Sequence, residues 1–440
     1  MLTKQAAESC GLRQCGRYDT IVVGAGPAGF GAAIASARRG LRTLLIESGG
    51  YAGGVATRCC VPLYFGFDSD GVQLTAGLSE EFVRRMDEIG AASFMVNNSC
   101  EIPEFRRIGG RPITGKVQMK PEHMKLMLRR MLEEAGVECL FYTHFVDAVN
   151  DNGRVASIIV SCLEGAKLLS ADAFIDCTGD ALLCHAADPD SVVRYSDEFS
   201  MHKSMFFFVG GVTTFDGRYN SQLYRELYEK GRVPGNVWPH FGYSVQLTPG
   251  VVQIAVCFAT GDGVSSADMT RMDRELRENV FEIVEFLRRE MPGFADCYLL
   301  DTAQSVGVRA GQGIVGKESV DYDSLYTGCD DTVALTGLSY GAHSNKNHEF
   351  SSSWADSRPG VGRVPMGALI PSTLGNVLAA GRCISTDPKY IGVFRMMNTC
   401  MTLGEAAGLM AYAAKKHGIS VCDVNYEMLL PLLRENSFIL

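Results

Sequence analysis

The 440-residue chain has no apolar run long enough to span a bilayer; its longest apolar stretches are short and broken by glycine or charge. Its first twenty residues carry no apolar core of the signal-peptide kind. Basic side chains are outnumbered 41 to 50, and the net charge of −9 excludes a protein that tracks nucleic-acid phosphates over a broad basic face. A locally basic pocket stays compatible with that balance. No internal repeat or low-complexity stretch occurs. With 46% hydrophobic and 21% charged residues, the chain can build a substantial core, so disordered, collagen-like and coiled-coil readings fall away. The fifteen cysteines form no C-x-x-C pair and no iron–sulfur spacing, which implies no structural metal and no disulfide framework. Scattered cysteines in a chain this long are expected to be small buried hydrophobes in a reducing compartment. These absences predict a soluble, cytoplasmic globular protein that engages neither nucleic acid nor membrane.

What is present is concentrated first in residues 18–48. The apolar run Thr20–Val23 reads as a buried strand, an Ala-rich helix runs to Arg39 and stops at Gly40, and Thr43–Ile46 reads as a second strand ending at Glu47. Between the first strand and the helix stand Gly24, Gly26 and Gly29. Their spacing is that of a dinucleotide-binding turn: the first glycine permits the turn, the second lets a pyrophosphate approach the backbone, and the third lets helix and strand pack closely. The helix N-terminus then offers unpaired N–H groups to the phosphates. Glu47, 23 residues beyond Gly24, stands where an acid binds a ribose hydroxyl. A second glycine cluster, Gly49-Gly50-Tyr51-Ala52-Gly53-Gly54, follows at once and can let backbone pass close to a large flat ligand.

Further along, Pro121 opens a helix whose stripe Met124, Met127, Leu128, Met131, Leu132 and Ala135 is core, closed by Gly136. A strand over 137–142 and three further strand-like runs, separated by Asn152-Gly153 and Glu164-Gly165, lead to Ala173–Cys177 and then Thr178-Gly179-Asp180. From about 190 the pattern changes to strands with few helices. Ser204–Val212 is strand-like, a hairpin is expected at Thr248-Pro249-Gly250, and Leu276, Val280, Ile283, Val284 and Leu287 line one helix face. Residues 341–363 look like a long polar, functional loop carrying His343, Lys346, His348 and Arg363. A strand at Val377–Ala380 precedes Gly381-Arg382, and an Ala-rich helix over 402–414 is expected to begin near Gly404.

In these motifs the chain resembles the bacterial FAD-dependent oxidoreductases of the glutathione-reductase-like fold, related to the FAD subunit of heterodisulfide reductase. The resemblance runs in order through VGAGPAGFGAAIASARRG, IESGGYAGG, AFIDCTGDA, SVGVRAGQGIVG, NVLAAGRCIS and RMMNTCMTLGEAAGLMAY, covering nearly the whole chain. It implies an α/β protein: a Rossmann-like FAD-binding domain of residues 17–190 and 370–422, an inserted α+β, largely antiparallel substrate domain of 191–369, and a C-terminal tail of 423–440. It further implies that Gly24, Gly26, Pro27, Ala28, Gly29, Glu47 and Ser48 hold the adenosine and pyrophosphate of FAD, with Gly53, Gly54 and Val146 beside them. Thr178, Gly179 and Asp180 match a second FAD contact, and Gly381 and Arg382 match the motif at the pyrophosphate–ribityl region. The helix carrying Gly404 and Ala406 would direct its N-terminus at the flavin pyrimidine. The chain departs from relatives at Tyr340-Gly341-Ala342-His343, at Pro365-Met366-Gly367 and at Ala310-Gly311, all on the presumed substrate side, so no relative's substrate transfers.

Flavin carries out the hydride chemistry, and the protein supplies orientation, charge and an acid or base. Arg309 and Arg395 are the expected anchors for a carboxylate or enolate, with a structural ion pair as the competing reading. His343 is the expected proton donor or acceptor, because imidazole titrates near neutrality. The adjacent Cys59 and Cys60 are read as packing residues, a redox pair being the alternative. Only one dinucleotide fingerprint occurs, so the substrate is expected to meet the flavin directly. A dehydrogenase or reductase acting on a small polar metabolite heads the expected functions. An electron-transfer component with a redox partner protein and a flavin monooxygenase are the alternatives. Self-association is left open.

Overall fold

A computed structural model describes residues 12, 14–95, 106–195, 201–241, 245–338 and 360–440. Strand β1 (Gln14–Val23) buries its last four residues, and β2 (Thr43–Ile46) is buried throughout. Strands covered on both faces need no alternation, which is why each reads as an unbroken apolar run. Between them, α1 (Pro27–Arg38) starts on a proline, where the missing N–H forfeits no helical bond, and Gly40 at φ +86° takes the chain out of it. Helices α2 (Gly77–Glu88) and α3 (Pro121–Glu134) follow; the expected stripe Met124, Met127, Leu128, Met131 and Leu132 is buried.

Strands β3 (Glu138–Leu140), β4 (His144–Asp151), β5 (Arg154–Cys162) and β6 (Gly165–Asp176) complete the main sheet, in the order β3-β2-β1-β6-β5-β4. The turns expected at Asn152-Gly153 and Glu164-Gly165 join β4–β5 and β5–β6 as antiparallel hairpins. Strand β6 changes role along its length. Its first residues finish the hairpin with β5, and Phe174–Asp176 lie parallel between β1 and the late strand β15 (Val377–Ala379). Val23, Ile46, Asp176 and Ala379 therefore end level, and the crevice at the carboxyl ends of such strands is where ligands of open α/β sheets bind.

A second, antiparallel sheet has the order β9-β10-β8-β12, from β8 (Phe207–Gly210), β9 (Val245–Thr248), β10 (Val251–Ile254) and β12 (Tyr298–Thr302). Helices α4 (Gly217–Glu229) and α5 (Ser266–Glu290) supply Tyr224, Leu227, Leu276, Val280, Ile283, Val284 and Leu287 to its core. The strand-like run expected over Ser204–Val212 is broken, with β7 (Lys203–Ser204) preceding β8; likewise β11 (Phe258–Ala259) follows β10 as a separate piece, and the two short pieces pair with each other. Side chains from Met205 to Val306 make up this second core, whereas Ala310, Val320, Leu325 and Val333 join the first. The unit expected over 191–369 thus does not keep its side chains in one core, and Ile314 joins a third cluster under the main sheet. Strands β13 (Thr332–Gly337) and β14 (Val361–Pro365) form a two-stranded ladder, so the last residues of the expected polar loop are strand. Helix α6 (Met397–His417) packs along α1 and closes the first core. Among the described residues, no helix is long and apolar enough to cross a membrane.

Candidate FAD and substrate site

At the carboxyl edge of the main sheet lies a cavity of about 730 Å³, lined by the β1–α1 turn, the end of β2, the turn after β6, residues 307–309, and 380–382 with the start of α6. Each glycine of the turn has a separate physical task. Gly24 holds φ +95°, with Cys177 O only 2.7 Å from where a Cβ would stand. At Gly29 a Cβ would fall 1.8 Å from Gly24 O, so only glycine lets α1 approach β1 this closely. At Gly26 a Cβ would meet no protein atom within 4 Å, and the residue faces the cavity. That open side, beside the uncapped N-terminus of α1, fits a pyrophosphate. Pro27, Ala28 and Ser48 also line it. Glu47, buried at the end of β2, accepts the Ala25 N–H at 2.9 Å and the Gly49 N–H at 2.8 Å, with Arg58 at 3.4 Å. Its carboxylate is thereby fixed at the cavity wall. The second glycine cluster bends back on the first: Gly53 N–H bonds Ala25 O at 2.7 Å, and Gly54 lies against Gly26.

The turn Thr178-Gly179-Asp180 is organised from below by Asp176, a residue the motif reading missed. Asp176 accepts hydrogen bonds from Thr178 N, Thr178 Oγ1, Leu183 N and Cys184 N at 2.7–3.0 Å. Burial still pushes its carboxyl above the ordinary range, against those bonds. Gly381, at φ +92°, brings Arg382 over the turn; the guanidinium bonds Gly179 O at 2.8 Å, Asp180 Oδ2 at 2.6 Å, and Val308 O. Arg382 therefore ties the two halves of the cavity together. Thr178, Gly179, Gly381 and Arg382 line the cavity, while Asp180 stands behind Arg382 as its counter-ion.

Arg309 and Arg395 both line this same cavity, joined by Arg58, Lys116 and Arg382, and Glu47 is the one carboxylate among the described lining residues. Arg309 donates to His202 O at 2.6 Å and lies 5.0 Å from the centre of the Trp238 ring. Lys203 was also missed: it has no exposed surface, and burial pushes its ammonium down to about 8, aided by Arg382 and Arg309 and opposed by Asp262 and Asp180. The only signal for it was a charge set against the start of an apolar strand run.

Several expected positions are corrected. Helix α6 begins at Met397, seven residues before Gly404, and it is Met396, Met397 and Cys400 that face the cavity. Gly404 and Ala406 are buried within the helix; a Cβ on Gly404 would fall 1.9 Å from Ala28 O, so this glycine serves the contact with α1. Val146 is 55% exposed, because a register shift between Phe145 and Asp147 turns it outward; Thr143, His144 and Phe145 line the cavity instead. Arg363 is exposed on β14, beside Gly328 and outside the cavity. His343, Lys346 and His348 lie outside the described residues. Cys59 is buried near Ser305 Oγ and Val306 O, and burial raises its thiol; Cys60 is pushed up to about 12. In both, burial disfavours the thiolate, which supports packing over redox exchange.

A glycine turn of dinucleotide-binding spacing, with the buried Glu47 beside it at the carboxyl ends of a parallel sheet, thus lines a cavity whose described lining also holds Arg58, Lys116, Arg309, Arg382 and Arg395. The chain belongs to the family described as FAD dependent oxidoreductase, which it matches over residues 19–433. It is an FAD-dependent enzyme. Among solved structures it is similar to a geranylgeranyl bacteriochlorophyll reductase-like protein from Thermoplasma acidophilum, at 14% identity and a TM-score of 0.51, over 95% of this chain and 83% of that one. It is also similar to BexE, described in connection with oxidation during BE-7585A biosynthesis, at 12% identity and a TM-score of 0.50, over 96% of this chain and 66% of that one. These likenesses concern the fold. No curated protein matches the chain.

Proposed function

We propose that this enzyme exchanges hydride between FAD and a small, polar, anionic metabolite bound at Arg309 and Arg395. One observation supports the reading: the cavity lined by the dinucleotide turn is lined also by these two arginines, and Glu47, the one carboxylate among its described lining residues, is already engaged by backbone N–H groups. Bound FAD supplies the hydride acceptor or donor. The residues of the chain do the rest. Gly26 and the α1 N-terminus receive the pyrophosphate, and Glu47 takes the ribose. Arg309 and Arg395 orient the substrate anion, and the α6 N-terminus favours negative charge at its end of the cavity. His343 is assigned the proton on its chemistry alone.

Anaerobic titration of the holoenzyme with hydroxy acids, sugars, amines and enoates tests this. Bleaching of the oxidised flavin by a hydroxy acid, or reoxidation of the reduced flavin by an enoate, is expected. Arg309→Ala should slow that step at least tenfold with FAD still bound. A screen in which no metabolite changes flavin absorbance overturns the reading. So does oxygen-dependent hydroxylation, or reduction only through a co-purifying redox protein.

A further inference from the structure

Behind Arg309 stands a set of stacked rings to which the proposed reaction gives no role. Pairing of β7 with β11 sets Ser204 opposite Phe258, and the ring of His202, one residue before β7, stacks on Phe258 at 4.0 Å and 6°. The segment 236–238 runs alongside: Phe258 N bonds Asn236 O, and Trp238 N bonds Val256 O, both at 3.0 Å. Trp238 Nε1–H then donates to His202 Nδ1 at 3.1 Å. That bond fixes the indole edge on the imidazole. Trp238 is 4% exposed and His202 5% exposed, so neither ring is a surface ornament. Ser204 and Gly307 exchange backbone hydrogen bonds at 3.2 and 2.8 Å, which delivers Arg309 two residues later onto the face of Trp238. Its Nη1 is fixed on His202 O.

We propose that Trp238, locked by the ring of His202, is a positioning residue that holds Arg309 against the cavity and so gives the site its preference for a carboxylate over a neutral isostere. This rests on Arg309 being the substrate anchor. A guanidinium on a flexible stem loses rotamer freedom when it captures an anion, whereas one already lying on an indole face and bonded to a carbonyl has lost it beforehand. The guanidinium–indole contact itself also disappears with the ring.

The test uses the FAD-loaded protein, with acetate and its neutral isostere acetamide as probes, followed through the flavin absorption band. Wild type should bind acetate more tightly than acetamide. Trp238→Leu should weaken acetate about tenfold and leave acetamide unchanged, the size expected for loss of a buried cation–ring contact. Trp238→Phe, which keeps a ring face but loses the bond to His202, should weaken acetate about threefold. Equal weakening of both probes means the ring only supports the fold and overturns the proposal, as does an unchanged ratio in both variants. If Trp238→Leu fails to retain FAD, the acetate-to-acetamide ratio of Trp238→Phe decides alone. Arg309→Ala separates the two levels. Acetate binding unaffected by it removes the anchor itself, and with it the proposed function. Acetate binding lost in Arg309→Ala but intact in both Trp238 variants removes only the role of Trp238.

Discussion

Two alanine substitutions three residues apart should fail in opposite ways. At Gly29 the added methyl would stand 1.8 Å from Gly24 O, about half the ~3.5 Å at which such atoms rest. Backbone cannot give way as a flexible side chain does, so α1 must move off β1. Overpacking of this kind costs about 1–3 kcal/mol, and FAD binding should fall with the displaced helix N-terminus. At Gly26 the added methyl meets no protein atom within 4 Å, and φ −68°, ψ −175° is open to alanine. Alanine is a poorer N-cap than glycine, so the apoprotein should lose no more than about 1 kcal/mol. The methyl does, however, occupy the space through which the pyrophosphate passes. Gly26→Ala should therefore weaken FAD at least tenfold, about 1.4 kcal/mol, in a protein of near-normal stability. Denaturant midpoints of the two apoproteins, and titration of each with FAD by flavin fluorescence, measure both quantities. If Gly26→Ala binds FAD as wild type does, or destabilises the apoprotein as much as Gly29→Ala, the assignment of this turn is refuted.

Three other outcomes follow from the same geometry. Burial between α6 and the start of α2 pushes the Glu405 carboxyl from 4.5 up to about 8, with the Leu78 N–H bond and Arg38 opposing. Between those values the folded chain keeps a proton that the unfolded chain has released. This contribution to stability is thus full below about pH 4.5 and lost as pH rises through about 8. Glu405→Gln should flatten that part of the stability profile over pH 5–9, and a constant gap between variant and wild type would contradict it. Arg382→Ala strands the mostly buried Asp180 carboxylate and cuts the ties to Gly179 and Val308, so a loss of about 3–5 kcal/mol is expected by denaturation; less than about 1 kcal/mol would show a screened pair. Cys60→Ser should leave flavin reduction unchanged and wild-type Cys60 should resist alkylation at pH 7, whereas rapid labelling would reveal a thiolate.

The parts legible in the sequence are those whose physics is local. Gly24, Gly26 and Gly29 each answer a constraint set within a few residues, and the buried runs of β1 and β2 need no distant partner to be recognised. The start of α6 is hidden in the sequence because it has no capping side chain and because Asn398, Thr399, Cys400 and Thr402 are weak helix formers. Contact with α1 sets the helix there, through Gly31 on Met401 O, Gly404 on Ala28 O and Gly408 on Ala32 O. Val146 is exposed at a register shift in β4, a local irregularity that no spacing in the sequence marks. His202, Lys203 and Trp238 were missed altogether. Their burial arises from pairing between segments tens of residues apart, and no spacing within the chain announces that.

The most direct measurement is the crystal structure of the holoenzyme. The pyrophosphate is expected at Gly26 and the α1 N-terminus, the ribose at Glu47, and the reactive face of the flavin open toward Arg309 and Arg395. A flavin seated so that both arginines contact its own phosphates, or are walled off from it, would contradict the account.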